Sequence, residues 1–267
     1  MIEDIKKYWD ARPCNLKHSD AEIGSYDYFE QVRAKKYHVE PHIVSFADFP
    51  KWKGKKVLDV GCGIGTMAID FALAGAQVTA VDLSSKSLEI ARKRADIYQL
   101  DNIKFVEVNA EELDKYVPVE VYDLVWSFGV IHHSPNPEKI VEQIKKYMGP
   151  GSEFRVMVYN KWSWKVFWIL MGYGKGQFWK INELIPKYSE AVEGCPRTLA
   201  YSKKTVKRLL NGFKIKDIFV DHIFPYKIEA YKKHYYEKIG YFRWMPDKFF
   251  RLMEKFIGWH LCVTAQY

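Results

Sequence analysis

Asp59, Gly61, Gly63, Gly65, Asp82, His132 and His133 stand at spacings that suggest chemistry. The three glycines break the chain directly after an apolar run, Val57 to Val60. Glycines there let the backbone turn sharply and approach a ligand closely. Their G-x-G-x-G spacing is not the G-x-G-x-x-G of dinucleotide binders, because Thr66 stands where the third glycine would. A pyrophosphate binder has no need of an acid just before the glycines, whereas a cationic ligand without phosphates can use Asp59. Asp82 follows the turn by about 20 residues, the spacing at which a carboxylate accepts ribose hydroxyls in doubly wound folds. A ligand that is both cationic and a nucleoside describes S-adenosylmethionine, with its α-ammonium and sulfonium charges. A histidine of the 132–133 pair can take a proton from a hydroxyl or amine.

These residues need elements to hold them. Val57 to Val60 starts a buried strand, and Thr66 to Ala74 has helical spacing that Gly75 ends. Gln77 to Asp82 is a second strand. Ser84 or Ser85 caps a helix whose apolar stripe is Leu88, Ala91, Ala95 and Tyr98. Further strands are expected at Ile103 to Val108, Tyr122 to Ser127, Glu153 to Tyr159, Phe213 to His222 and Trp259 to Gln266. Pro137 opens a helix striped by Ile140, Ile144 and Met148, and Ser202 caps another through Val206, Leu209 and Leu210.

In this order the segments DVGCGIGT, NAEEL, YDLVWSFGVIHH and GPGSEFRVMV resemble the motifs of the class I S-adenosylmethionine-dependent methyltransferases. The resemblance covers Lys55 to Tyr159, plus a sheet completion near the C-terminus. It implies an α/β, Rossmann-like, seven-stranded, mostly parallel sheet with helices on both faces. The last strand is antiparallel and tucks between the fifth and sixth. The implied cofactor is S-adenosyl-L-methionine, leaving S-adenosyl-L-homocysteine as product. Asp59 then pairs with the α-ammonium, directly or through water. Gly61, Gly63 and Gly65 set amides beside the methionine end, and Asp82 takes both ribose hydroxyls. Leu83 and Ala110 sandwich the adenine. Asn109, where many members have Asp, offers an acceptor to the adenine amine. Ser127 and Phe128 bring backbone to the carboxyl end of the fourth strand. His133, or His132, is the candidate base, while the other packs under the adjacent helix. Methyl transfer from a sulfonium can also proceed without a base, by positioning in a dry pocket.

Residues 1–50 read as N-terminal cap helices, 55–159 as the cofactor-binding core, 160–201 and 223–258 as cap insertions, and 202–222 with 259–267 as sheet completion, all in one methyltransferase domain over 1–267. In proteins this resembles, such N-terminal helices wall the acceptor pocket. Tyr8, Trp9 and Tyr26 lead the acceptor candidates, since a polar-tipped aromatic stacks and still hydrogen-bonds; Arg12, His18, Arg33 and Tyr37 follow. Trp164 leads in the first insertion, where its helical spacing with Phe167 and Trp168 fits core, an acceptor pocket or a lipid surface. The N-terminal segment and both insertions are together expected to set the pocket.

The 267 residues carry 41 Lys and Arg against 33 Asp and Glu, a net charge of +8. The basic residues are scattered as pairs such as Lys55–Lys56 and Lys145–Lys146 among acids, which favours a solvated surface over a nucleic-acid partner. No N/D-P-P-[FY] follows the fourth strand, where SFGV stands instead. Cys14, Cys62, Cys195 and Cys262 form no C-x-x-C, so no metal is expected, and reduced thiols point to a cytoplasmic protein. MIEDIKKYWD lacks the apolar core of a signal peptide. No apolar run reaches the ~20 residues of a membrane span, although peripheral membrane contact stays open, as does the oligomeric state. The expected activity is in-line transfer of a methyl group to an O or N nucleophile of a small-molecule or peptide acceptor. An RNA- or lipid-directed methyltransferase and a non-catalytic S-adenosylmethionine binder are the alternatives.

Overall fold

The computed structural model describes residues 1–189 and 194–267; residues 190–193 of the first expected insertion lie outside them. Seven strands form one sheet: β1 (Lys56–Val60), β2 (Gln77–Asp82), β3 (Ile103–Glu107), β4 (Leu124–Phe128), β5 (Glu153–Tyr159), β6 (Lys214–Asp221) and β7 (His260–Gln266). Their spatial order is β3-β2-β1-β4-β5-β7-β6. β7 is antiparallel to both neighbours and the other contacts are parallel. The expected sheet is therefore the observed one, with strand ends moved by up to two residues. Tyr122 precedes β4 because its backbone amide donates to the Tyr147 carbonyl at 2.9 Å and not to a neighbouring strand.

Alternation along the strands splits the core in two. Leu58 and Val60 face a cluster with Ile140, Ile144 and Val206, while Val57 faces Ala68, Phe71 and Trp126 on the opposite side. Strands buried on both faces read as mostly apolar runs, and β1 and β4 do so apart from the polar Asp59 and Ser127 within them. Register then fixes the site. Val60 pairs with Val81, so the chain leaves β1 and β2 side by side, with Gly61 next to Asp82.

The N-terminal segment covers this edge. α1 (Ile2–Ala11) is clamped by Lys6 Nζ, which donates to the Leu83 carbonyl at 3.0 Å and to Glu107 at 2.8 Å. Ser84 Oγ also donates to Asp10 at 2.8 Å. α2 (Tyr26–Val39), capped by Ser25, buries Tyr28, Phe29 and Val32 against Ile64 of the glycine turn. α3 (His42–Ala47) follows Pro41. α4 (Thr66–Leu73) and α5 (Ser85–Ile97) pack on the face of Val57, and α6 (Pro137–Lys145) packs on the other. Arg94 of α5 is buried and donates to Thr66 Oγ1 at 2.7 Å and to the Phe29 carbonyl at 3.3 Å. This single side chain ties the N-terminal segment to the start of α4.

α7 (Trp164–Gly172) and α8 (Ile181–Tyr188) bury Val166, Ile169 and Leu184 against Trp259. α9 (Lys203–Leu209), with a Ser202–Thr205 capping box, leads into β6. In the second insertion α10 (Ile228–Lys232) packs Tyr231 against Phe224 and Tyr226, while α11 (Gly240–Arg243) and α12 (Asp247–Ile257) fold around Ile223, Phe242 and Phe250. Gly258 passes from α12 into β7 so tightly that an added Cβ would overlap the Asp221 and Glu254 carbonyls. Gly258→Ala is expected to cost about 2 kcal/mol or more, read as a lower urea midpoint with an unchanged m-value.

Candidate active site

A cavity of about 300 Å³ opens at the carboxyl edge of the sheet. One end is the glycine turn with Asp82, Leu83, Asn109 and Ala110, and the other is walled by Trp9, His133, Tyr159 and His260. Phe128 and Met157 lie between. This is the switch point of an open sheet, where β1 and β4 send their connections to opposite faces.

The turn is held by β2. The amides of Gly61 and Cys62 both donate to the Val81 carbonyl, at 2.8 and 3.0 Å. The Gly63 amide donates to Asp82 Oδ2 and the Ser84 amide to Oδ1, each at 2.8 Å. Asp82 thus keeps one lone pair per oxygen for a ligand. Burial raises its carboxyl above the usual range, against the two amide bonds. Gly61 has φ +84°, and a Cβ there would overlap Val130, so only glycine fits.

Several predicted residues stand behind the cavity wall. Asp59 is 1% exposed and neither carboxylate oxygen has a hydrogen-bond partner among the described residues. Burial, aided by Asp82, pushes its carboxyl far above the usual range. Gly65 sits in the left-handed region (φ +79°) as the cap of α4 and meets Ala91. The Ser127 hydroxyl donates to the Val60 carbonyl at 3.2 Å, stapling β4 to β1. Asn109 reaches the cavity, but its Oδ1 already accepts from the Glu111 amide at 3.0 Å. The acceptor expected to meet adenine is therefore partly used as a turn cap.

The histidine pair divides. His133 lines the cavity 5.3 Å from the Trp9 ring and donates from Nδ1 to the Arg197 carbonyl at 2.8 Å. A carbonyl only accepts, so Nε2 is the ring's proton-accepting nitrogen. His132 is sealed away under Tyr159, with ring centroids 3.8 Å apart, and burial keeps it well below its ordinary pKa.

Among the aromatic candidates only Trp9 reaches the cavity. Tyr8 packs edge-on to Trp9 and is not a lining residue. Tyr26 is 56% exposed and lies against Tyr98. Trp164 packs between Phe167, Tyr241 and Phe242 and joins the two insertions to each other. Of the described residues, none from 160–201 or 223–258 lines the cavity. The N-terminal segment fills that role with Ile2, Ile5, Trp9, Cys14, Asn15, Lys36 and Glu40. The reason is local: each insertion has its own apolar surface to bury, against Trp259 or around Phe242.

Residues not predicted complete the end of the cavity away from the glycine turn. Glu40, with Lys36 Nζ at 2.8 Å, and His260 both line the cavity, and His42 stands behind His260. Burial pushes His42 down to about 3 and His222 to about 4, and drives His260 well below its ordinary value, so the three imidazoles are neutral. Burial alone would raise Glu40, but the Lys36 ammonium holds its carboxyl below the usual range. The sequence signal for this group was Glu40-Pro41-His42, which reads only as an interrupted helix.

A family described as "Methyltransferase domain" matches residues 51–212. The chain is 38% identical over 98 residues to the ubiquinone biosynthesis O-methyltransferase of Albidiferax ferrireducens, covering 37% of this chain and 38% of that protein. It is 37% identical over 114 residues to the protein of the same name from Erwinia tasmaniensis, covering 42% and 46%. Each match thus spans less than half the length of the curated relative. Among solved structures, magnesium protoporphyrin IX methyltransferase from Synechocystis, with bound SAM, superposes with a TM-score of 0.58 at 14% identity, covering 99% of this chain and 95% of that one. A putative methyltransferase in complex with the Haloferax volcanii Trm112 activator reaches 0.61 at 15% identity, covering 98% and 96%. At such identities these two share the fold alone. With the sheet order, the glycine turn and the family match together, the chain belongs to the methyltransferase-domain family and is a class I S-adenosylmethionine-dependent methyltransferase.

Proposed function

We propose that this enzyme methylates an oxygen nucleophile of a small, partly apolar acceptor seated between Trp9, Tyr159 and His133. The observation that carries the reading is the single cavity that joins the glycine turn to those side chains. The names of the relatives, O-methyltransferases of ubiquinone biosynthesis, agree with a small oxygen acceptor. An RNA acceptor is disfavoured because two of the basic pairs are neutralised locally: Lys55 by Asp123, Lys56 by Glu120, Lys145 by Glu142 and Lys146 by Asp114. No described helix is long and apolar enough to cross a membrane.

The residues present fit the cofactor. A buried carboxylate with both oxygens unsatisfied, Asp59, and a half-buried one lining the cavity, Asp82, suit a cationic nucleoside, and an added Cβ at Gly63 would meet no atom within 4 Å, so backbone there faces open space. S-adenosylmethionine supplies a methyl group on a sulfonium. Asp82 binds ribose hydroxyls through its remaining lone pairs, Leu83 and Ala110 flank the adenine, and Asp59 provides negative charge behind the turn. α1 closes the cavity and keeps water out through its Lys6 and Asp10 contacts. His133 Nε2 accepts the acceptor's hydroxyl proton as the oxygen is methylated.

Labelled methyl donor offered to a fractionated cell extract is expected to mark small molecules as methyl ethers, with the label abolished by Asp82→Ala. Label confined to RNA, lipid or amines would overturn the acceptor class. His133→Ala is expected to lower kcat by about 100-fold with S-adenosylhomocysteine affinity unchanged; unaltered turnover would remove it as base. The raised Asp59 carboxyl gives a stability signature in ligand-free protein. Below the unfolded value of 3.8 both states are protonated and the shift costs nothing. As pH rises, the unfolded chain ionises while the folded one keeps its proton, so stability falls until the folded group ionises too. Asp59→Asn is therefore expected to gain melting temperature relative to the parent as pH rises above the unfolded value of 3.8, and a parallel pair of melting curves would contradict this.

A further inference from the structure

We propose that Glu40, His42 and His260 form a binding site for one divalent transition-metal ion of the zinc class at the acceptor end of the cavity. They are the one group of three or more His, Cys, Asp or Glu among the described residues whose ligand atoms converge, all within 4.8 Å of one another. His42 Nε2 faces His260 Nδ1 at 3.0 Å, and Glu40 Oε2 lies 3.8 Å from that same Nδ1. Metal bonds of about 2.0–2.1 Å in tetrahedral geometry require ligand atoms about 3.4 Å apart, and these two spacings bracket that value. Two imidazoles and one carboxylate on three side chains leave a fourth position, as zinc sites that bind water or substrate do.

The surroundings support the ligands. The Asp221 carboxylate is 4.0 Å from His42 Nδ1, on the far side of the ring from His260, beyond hydrogen-bond length but placed where an outer carboxylate can close on a metal-bound histidine. The His222 ring stands 4.5 Å from His260. Glu40 and His260 both line the cavity, so the fourth position opens toward it. That position suits a hydroxyl or carboxylate oxygen of an acceptor; this role rests on the acceptor end proposed above, while binding of the ion does not. Lys36 Nζ bonds Glu40 Oε1 at 2.8 Å and Oε2 at 3.0 Å. An ion on Oε2 leaves the first of these bonds intact, but two cations on one carboxylate repel. Lys36 therefore weakens the site.

The test is titration of the full chain with Co²⁺ and then Zn²⁺, without donor or acceptor, followed by calorimetry and visible absorption. The expected result is one Co²⁺ per chain with ligand-field bands and no thiolate band, displaced by Zn²⁺. Binding should weaken by about 100-fold in Glu40→Gln and in His260→Gln, and tighten in Lys36→Met. Variants are compared only when their circular dichroism and S-adenosylhomocysteine affinity match the parent. Absence of an ion at micromolar concentration in the parent would overturn the site and leave His42 and His260 as a hydrogen-bonded pair. A thiolate band from Cys14, or full-strength binding in a folded His260→Gln or Glu40→Gln protein, would place the ion elsewhere and overturn it equally.

Discussion

The splice between β1 and β2 governs the site. Two amides of the glycine turn share the Val81 carbonyl and a third takes Asp82 Oδ2, so the turn is tied to its neighbour strand. The register that makes this possible also buries Asp59 near the half-buried Asp82, whose charge adds to burial in disfavouring ionisation of Asp59. Two carboxylates in a low-dielectric site are an unfavourable arrangement that packing alone does not explain. Under the cofactor reading proposed above, a cationic ligand relieves it, and the cost in the empty protein becomes selectivity for the bound form.

Closure of the cavity depends on the same edge. Ser84 caps α5 through the Ser87 amide, and its hydroxyl donates to Asp10 of α1. Its amide meanwhile holds Asp82. One residue thus connects Asp82, the helix that follows it and the helix that covers the cavity. Lys6 completes the clamp on the Leu83 carbonyl, beside the predicted adenine wall. The N-terminal segment and the cofactor end are consequently one mechanical unit, and Ile2, Ile5 and Trp9 enter the cavity because α1 is pinned there.

The core was legible because its signals are local. A strand, a glycine turn and an acid a fixed distance on are read from adjacent residues, and the seven strands follow from apolar runs and caps. The acceptor end was not legible, since composition says how many aromatics an insertion has but not which surface they cover. Trp164 has the spacing of a pocket residue, and it serves to pack one insertion on the other. His132 and His133 are adjacent and chemically identical, yet one is sealed under Tyr159 and the other reaches the cavity. Glu40 and His260 are 220 positions apart and only the sheet brings them together.

The antiparallel last strand explains that meeting. Parallel strands deliver only their carboxyl ends to the ligand edge, so β5 and β6 contribute Tyr159 and Asp221 there. β7 runs the other way, and its first residue, His260, pairs with Tyr159 on one side and Asp221 on the other. Reversing one strand thus adds an amino-terminal residue to an edge otherwise built from strand ends, with His222 next to it where β6 finishes. α3 supplies His42 from the opposite end of the sequence, directly after the Glu40 that ends α2. The cluster of imidazoles beside one carboxylate, assembled from three distant segments, ties α3 to β7 through the 3.0 Å contact between His42 and His260. Its position at the wall of the cavity, away from the glycine turn, is what the metal-site proposal rests on.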